Sequence, residues 1–275
     1  MEALETPRAG SLAVGLVPTM GYLHEGHLSL VDRAREESDF LAVSVFVNPL
    51  QFGPEEDLDR YPRDLDQDLK LLRERDVDLV FAPSVQEMYP GGEPQIVVDP
   101  GPLGGKLCGL HRPRHFGGVL TVVARLFGLF RPSVAVFGQK DYQQATLIKR
   151  MVLDLEMGVE IVTAPIVRED DGVAMSSRNV LLSEGERVEA AGLNRGLLEV
   201  QRLYEAGERS GERLRAALHE VVAGFPLLRL QYGEIVDPDT LDPVAEISNG
   251  AVAVLAAHCG ETRLIDNHLL TDRPG

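Results

Sequence analysis

The sequence predicts an α/β fold, a doubly wound parallel sheet over residues 1–168 followed by a smaller α+β domain over residues 169–275. Two observations predict it. Short apolar, β-branched runs alternate with stretches of helical period as far as about residue 167, the pattern of parallel strands joined by crossover helices. Near residue 168 the order changes to two helical stretches and then three short alternating strands, the pattern of an α+β unit. No internal repeat or low-complexity tract interrupts either part.

The first strand is the apolar run that begins at Val14. After Pro18 and Gly21, apolar residues restart at helical spacing with Leu28 and Val31, so VGLVPTMGYLHEGHLSLV reads as strand, tight turn and helix. With a helix start near Leu23, His24 and His27 share a face in the first turn, where unpaired amides and the positive end of the helix dipole suit a polyphosphate. Gly26 costs about 1 kcal/mol relative to alanine inside a helix, which suggests close approach of a ligand to the backbone. The alternative is a surface or capping role for each histidine. A zinc site of the HExxH kind lacks its i, i+4 pair.

Phe40 to Val47 is the second buried strand, and the polar, proline-rich loop NPLQFGPEEDLDRYPRD follows it. Loops past strand ends carry ligand groups in open α/β sheets, so Asn48, Gln51 and Tyr61 are candidates to orient a substrate, or else satisfied loop polars. Asp64 to Arg75 reads as an amphipathic helix, with Asp66 and Asp68 on a solvated face or, for Asp68, beside a metal. Asp78 to Ala82 is a short strand and Gln95 to Val98 an extended piece. A Gly/Pro-rich segment then runs through His115; in it Arg112 and His115 serve to fix the loop or, for Arg112, to bind substrate. His115 to Phe130 suits a buried helix and Ser133 to Phe137 a core strand. Gly138-Gln139-Lys140-Asp141 stands at its end, where amides and a lysine meet phosphates in this class of fold. Tyr142 to Leu155 is helical, with Gln143 and Gln144 as helix surface or substrate donors, and Val159 to Val167 is a strand.

Beyond the polar turn at Arg168 to Gly172, Met175-Ser176-Ser177-Arg178-Asn179 offers hydroxyls and a guanidinium suited to a triphosphate, or forms an ordinary surface loop. Ser183 and Glu186 make a capping box for a helix to about Ala206, and a second helix runs from Gly211 to Ala223. Tyr232 to Val236, Ala251 to Ala256 and Thr262 to Asn267 are the closing strands.

A formal charge of −16 excludes a general nucleic-acid surface, which needs concentrated Lys and Arg, while leaving room for a local basic pocket. The opening MEALETPRAG lacks the features of a secretory leader and no apolar run has the length of a membrane span, so the cytoplasm is expected. Cys108 and Cys259 belong to no CxxC or Cys/His cluster and read as buried thiols.

Taken together, VPTMGYLHEGH, VFVNPLQFGPEEDLDRYPRD, RPRHFGGVLTVV, VAVFGQKDYQQ and MSSRNVLLS resemble, in that order, the motifs of the bacterial pantothenate synthetase (pantoate–β-alanine ligase) family over roughly residues 14–183. LHEGH is similar to the HIGH-type signature of the wider nucleotidyltransferase superfamily, and MSSR stands in the place of its KMSKS-type loop. NPLQFG with GQKDYQQ narrows the resemblance to this family. Gly117 and Gln139 depart from its pattern, which often carries a charged residue and a glutamate there.

The resemblance implies a Rossmann-like first domain, a C-terminal lid hinged near residue 168, and a homodimer. It implies ATP-dependent condensation of (R)-pantoate with β-alanine through pantoyl adenylate, releasing AMP and pyrophosphate. Pro18, Met20, Gly21, Tyr22, Leu23, His24, Glu25, Gly26 and His27 would bind ATP, together with Gly138, Gln139, Lys140, Asp141, Val167, Met175, Ser176, Ser177 and Arg178. His27 would be the proton donor with His24 beside it, and Lys140, Ser176, Ser177 and Arg178 would offset developing charge. Gln51 and Gln144, with Asn48, Tyr61 and Arg112, would hold pantoate or β-alanine. Magnesium would ride on the phosphates, with Asp68 as its candidate protein ligand. Another adenylyl- or cytidylyltransferase of the superfamily would keep the histidines and MSSR without requiring the glutamines, and a non-catalytic nucleotide sensor would keep the phosphate loops alone.

Overall fold

The computed structural model describes residues 12–54 and 56–271. Five strands, β1 (Val14–Thr19), β2 (Phe40–Val45), β3 (Leu79–Phe81), β4 (Val134–Gly138) and β5 (Glu160–Ala164), form one parallel sheet in the order β3-β2-β1-β4-β5. Leu16, Val17, Leu41, Val43 and Val136 are buried, as strands covered on both faces must be. Register runs from Val14 opposite Phe40 to Thr19 opposite Val45, so β1 and β2 end level with each other. The order reverses between β1 and β4, and in doubly wound sheets the ligand crevice opens at the carboxyl ends of the strands at such a switch.

Four longer helices belong to this sheet: α1 (Glu25–Glu36), α2 (Leu65–Arg73), α3 (His115–Phe130) and α4 (Tyr142–Asp154). Leu28, Leu30, Val31 and Ala34 of α1 enter a core with Leu41, Val43, Leu72 and Val136. Three strands are shorter than predicted, β3 by one residue at each end. β2 stops at Val45, because the chain then turns to make Asn48 a cap, and β5 stops before Pro165, which has no N–H to give a ladder. Gln95 to Val98 is in no strand; the Val98 N–H instead donates to Thr121 Oγ1 at 2.9 Å. Single helical turns at Val85–Met88, Gly101–Gly104 and Cys108–His111 lie where irregular chain was expected.

The second sheet is antiparallel, β6-β7-β8, formed by β6 (Leu228–Val236), β7 (Ala251–Cys259) and β8 (Thr262–Leu270). Each strand is longer than its alternating pattern suggested, because β7 pairs with β6 and β8 along nearly its whole length. Helices α5 (Glu184–Glu205) and α6 (Gly211–Ala223) bury Leu193, Leu197, Val200, Leu214 and Leu218 against Leu255 and Ile235. The Ser183–Glu186 capping box is formed.

Contacts divide the chain into two compact units. The first takes Met1–Gly105, Gly109–Gln139 and Gln143–Pro165; the second takes Lys106–Cys108, Lys140–Tyr142 and Ile166–Gly275. Among the described residues neither cysteine is in a disulfide and both are buried, and no helix is long and apolar enough to cross a membrane.

Candidate active site

The turn after β1 is shaped by backbone and one carboxylate. Thr19 Oγ1 donates to the Ser44 carbonyl at 2.7 Å and accepts the Gly21 N–H at 3.2 Å. Gly21 and Tyr22 then take left-handed φ values of 82° and 52°. Tyr22 has no glycine freedom and such a conformation costs it about 1 kcal/mol or more. Asp68 offsets that strain: its Oδ2 accepts the Tyr22 N–H at 2.9 Å and its Oδ1 the Leu23 N–H at 2.7 Å. A Cβ on residue 21 would stand 2.9 Å from both Asp68 Oδ2 and Val45 Cγ1, so the turn also requires glycine for space.

Asp68 is 2% exposed, and burial raises its carboxyl above the usual value although the two amides pull it down. Both oxygens are occupied by N–H donors, and among the described residues no group of three or more His, Cys, Asp or Glu side chains stands ready for a metal. Asp68 anchors the turn through both oxygens.

The helix begins at Glu25, two residues later than expected, so His24 caps it instead of lying in its first turn. Its Nδ1 accepts the Gly26 N–H at 3.2 Å, which puts the proton of a neutral His24 ring on Nε2. The His24 and His27 rings lie 4.1 Å apart between centroids, tilted by 35°. Two imidazoles and the first amides of a twelve-residue helix thus converge at one end of α1, where phosphate oxygens are favoured. Gly138 closes β4 beside the same helix, with Leu30 methyls 3.9 Å from the position of a Cβ.

The loop after β2 presents Gln51. Asn48 caps the turn Pro49–Gln51, and all four of its side-chain positions are used: Oδ1 accepts from Leu50 N (3.3 Å) and Tyr89 OH (2.9 Å), and Nδ2 donates to Gln51 Oε1 (3.2 Å) and the Gly118 carbonyl (3.1 Å). Asn48 thus braces Gln51 and has nothing left for the substrate contact expected of it. Gln51 Nε2 reaches Met20 Sδ at 3.1 Å, joining this loop to the turn after β1. Gly118 allows the approach, since a Cβ there would meet the Leu50 carbonyl oxygen at 2.3 Å.

Arg112 is likewise engaged. It holds Glu56 with two hydrogen bonds, one from Nε at 3.0 Å and one from Nη2, and it sits 3.2 Å from His115 Nε2. His115 Nδ1 in turn lies 2.9 Å from the Gln51 carbonyl. Burial pushes Glu56 up, but the hydrogen bond and charge of Arg112, aided by His115, outweigh it and hold the carboxyl below its usual value. Arg112 therefore fixes the loop that carries Gln51, its Nη2 also lying 3.4 Å from the Gln51 carbonyl. Tyr61 is buried edge-on against Phe52, 6.1 Å between centroids, which makes it loop core. Gln143 turns inward to the Leu103 carbonyl at 3.2 Å, while Gln144 is half-buried. Sequence reasoning missed Glu56 and Tyr89, whose partners lie 56 and 41 residues away.

The second unit carries its own cationic group. Ser176 Oγ accepts the Arg178 N–H at 3.3 Å, capping the short turn Ser177–Leu181, and Ser177 is buried. The Met175 N–H donates to the Val167 carbonyl at 3.0 Å. Lys140 belongs to this unit, with Nζ 4.0 Å from Asp141 Oδ2 and its carbonyl accepting from Asn267 Nδ2 at 3.0 Å.

Comparison with known proteins points one way. A family model described as pantoate-beta-alanine ligase matches residues 1–269. The pantothenate synthetase of Thermoanaerobacter sp. strain X514 is 56% identical over 256 residues, 93% of this chain and 90% of its own. That of Roseiflexus sp. strain RS-1 is 55% identical over 97% of this chain and 96% of its own. A crystal structure of pantothenate synthetase from Thermus thermophilus superposes with a TM-score of 0.91 at 51% identity, covering 94% of each chain. A pantoate-beta-alanine ligase from Francisella tularensis, complexed with beta-gamma ATP and beta-alanine, superposes with a TM-score of 0.77 at 34% identity over 94% of this chain and 90% of its own.

Proposed function

The chain belongs to the pantoate-beta-alanine ligase family, and from that premise we propose how its residues divide the work. The reaction is the ATP-dependent condensation of pantoate with β-alanine. In the first step a pantoate carboxylate oxygen bonds to the α-phosphorus of ATP as the bond to the bridging oxygen breaks, giving pantoyl adenylate and pyrophosphate. In the second the β-alanine amine bonds to the activated carbonyl carbon, AMP leaves with the anhydride electrons, and the amine gives up a proton.

Two anions must meet in the first step, so the residues that matter most are those that offset charge where it grows. His24 Nε2–H, His27 and the first amides of α1 suit the bridging and leaving oxygens, with His27 as proton donor. Lys140, Ser176, Ser177 and Arg178 suit the remaining phosphate oxygens, and Met20 to Gly26, Gly138, Gln139 and Val167 the rest of the nucleotide. Gln51, held by Asn48 and by the Arg112–His115 contacts, and Gln144 orient the acid by neutral hydrogen bonds. ATP enters as its magnesium complex, with Asp68 as the candidate protein ligand. The reading extends to a homodimer in the cytoplasm, supported by kinship, with mass in light scattering as the check on the dimer.

The observation that carries the reading is the 3.1 Å contact of Gln51 Nε2 with Met20 Sδ, which joins the loop after β2 to the turn before the two imidazoles. Exchange of pyrophosphate into ATP should require pantoate and proceed without β-alanine. Exchange with no acid present would instead mark another transferase of the superfamily.

A further inference from the structure

The bonds that fasten Lys140 and the Met175–Arg178 turn meet on one strand. β8 carries two successive buried polar residues, Asp266 at 4% and Asn267 at 2% exposure. Side chains alternate along a strand, so Asp266 shares the row of Leu264 and Leu270, two members of the hydrophobic core. A carboxylate in that row is costly unless fully paired, and apolar residues of similar volume would serve stability as well.

The pairing is complete and it leads outward. Arg168 grips Asp266 with Nη1 at 2.6 Å from Oδ2 and Nη2 at 3.0 Å from Oδ1, and its Nη1 also donates to the Gly172 carbonyl at 3.0 Å. The Asn267 N–H donates to Asp266 Oδ1 at 2.8 Å. Arg168 and Ala174 are bridged as the two sides of a small hairpin, and the chain runs from it directly into Met175 and Ser176. Asn179 closes the far side of that turn, with Nδ2 donating to Glu169 Oε1 at 2.7 Å and to the Ala174 carbonyl at 3.2 Å. On its own face of the strand Asn267 donates through Nδ2 to the Lys140 carbonyl at 3.0 Å.

We propose that Arg168, Asp266 and Asn267 are positioning residues that set Lys140 and the Met175–Arg178 turn as one preformed cationic body, acting on adenylation through Lys140. The proposal rests on the phosphate role read for Lys140 above. None of the three needs to touch substrate. They hold the main chain on which the ammonium, hydroxyls and guanidinium are carried, so that these groups keep a common geometry toward the triphosphate.

A double-mutant cycle in the full-length enzyme tests this, read by pantoate-dependent pyrophosphate exchange. Asn267→Leu keeps the volume and removes the donor; it should lower exchange about tenfold, while in a Lys140→Ala background the same change should cost less than about twofold, because contacts that act through one another are not additive. Equal losses in both backgrounds would overturn the proposal and leave Asn267 a structural residue only. Should Lys140→Ala alone leave exchange at the wild-type rate, the phosphate role falls and the proposal with it, a result distinct from additivity. If leucine prevents folding, Asn267→Ala run through the same cycle decides the question by the same two outcomes.

Discussion

The turn after β1 and the loop after β2 leave the same end of adjacent strands, and each is pinned by one carboxylate, yet the two pins work in opposite electrostatic settings. Asp68 meets only the Tyr22 and Leu23 amides in the bonds it makes, and burial leaves its carboxyl above the ordinary value. Glu56 meets the Arg112 guanidinium, and the ion pair overcomes its burial penalty and leaves it below. The turn proposed for the phosphates is therefore shaped by backbone amides held on one carboxylate. The loop proposed for the acid is held by long side chains, whose contacts can be altered one at a time.

Three measurements put that contrast at risk. The largest effect belongs to His27→Ala, on the backbone-built side: exchange should fall by roughly 10² or more with the thermal midpoint unchanged, and a normal rate would strip that side of its proton donor. Gln51→Ala, on the side-chain-built side, should weaken pantoate by about tenfold, the worth of one good hydrogen bond, with ATP affected less than about twofold. Equal weakening of both ligands would make the two regions one functional unit. The smallest effect concerns acid. Because Glu56 titrates below its ordinary 4.5, its ion pair adds stability above that value and loses it as pH falls through the lowered one. Asp68, raised from 3.8, behaves conversely, and its contribution is greatest in acid and is lost as pH rises through its folded value. Glu56→Gln should thus flatten the fall of stability as pH drops below about 4.5, by about 1 kcal/mol at most for one ion pair; an unchanged slope would assign the acid limb to other carboxylates.

What could be read from sequence was what local pattern encodes. The run at Val14, the Ser183–Glu186 box and the buried helix from His115 each carry their signal within a dozen residues, and each stands in the structure as expected. The helix start after His24 was misplaced because a histidine is not a common cap and nothing nearby shows that its Nδ1 accepts from Gly26. The roles of Asp68, Glu56 and Asn267 escaped for another reason. Each is defined by a partner far along the chain, Tyr22 at 46 residues, Arg112 at 56 and Lys140 at 127. A lone carboxylate or amide in a helix or strand gives no local sign of such a partner. The short helical turns at Gly101 and Cys108 were hidden by a composition that ordinarily means irregular chain.

The three-residue excursion at Lys140–Tyr142 bears on how such an enzyme can be taken apart. A gene divided after Pro165 would send the Lys140 carbonyl and the Tyr142 hydroxyl away with one fragment and their respective partners, the Asn267 amide and the Pro238 carbonyl, away with the other. A cut that keeps residues 140–142 with the unit they pack in would have to divide the chain at more than one point.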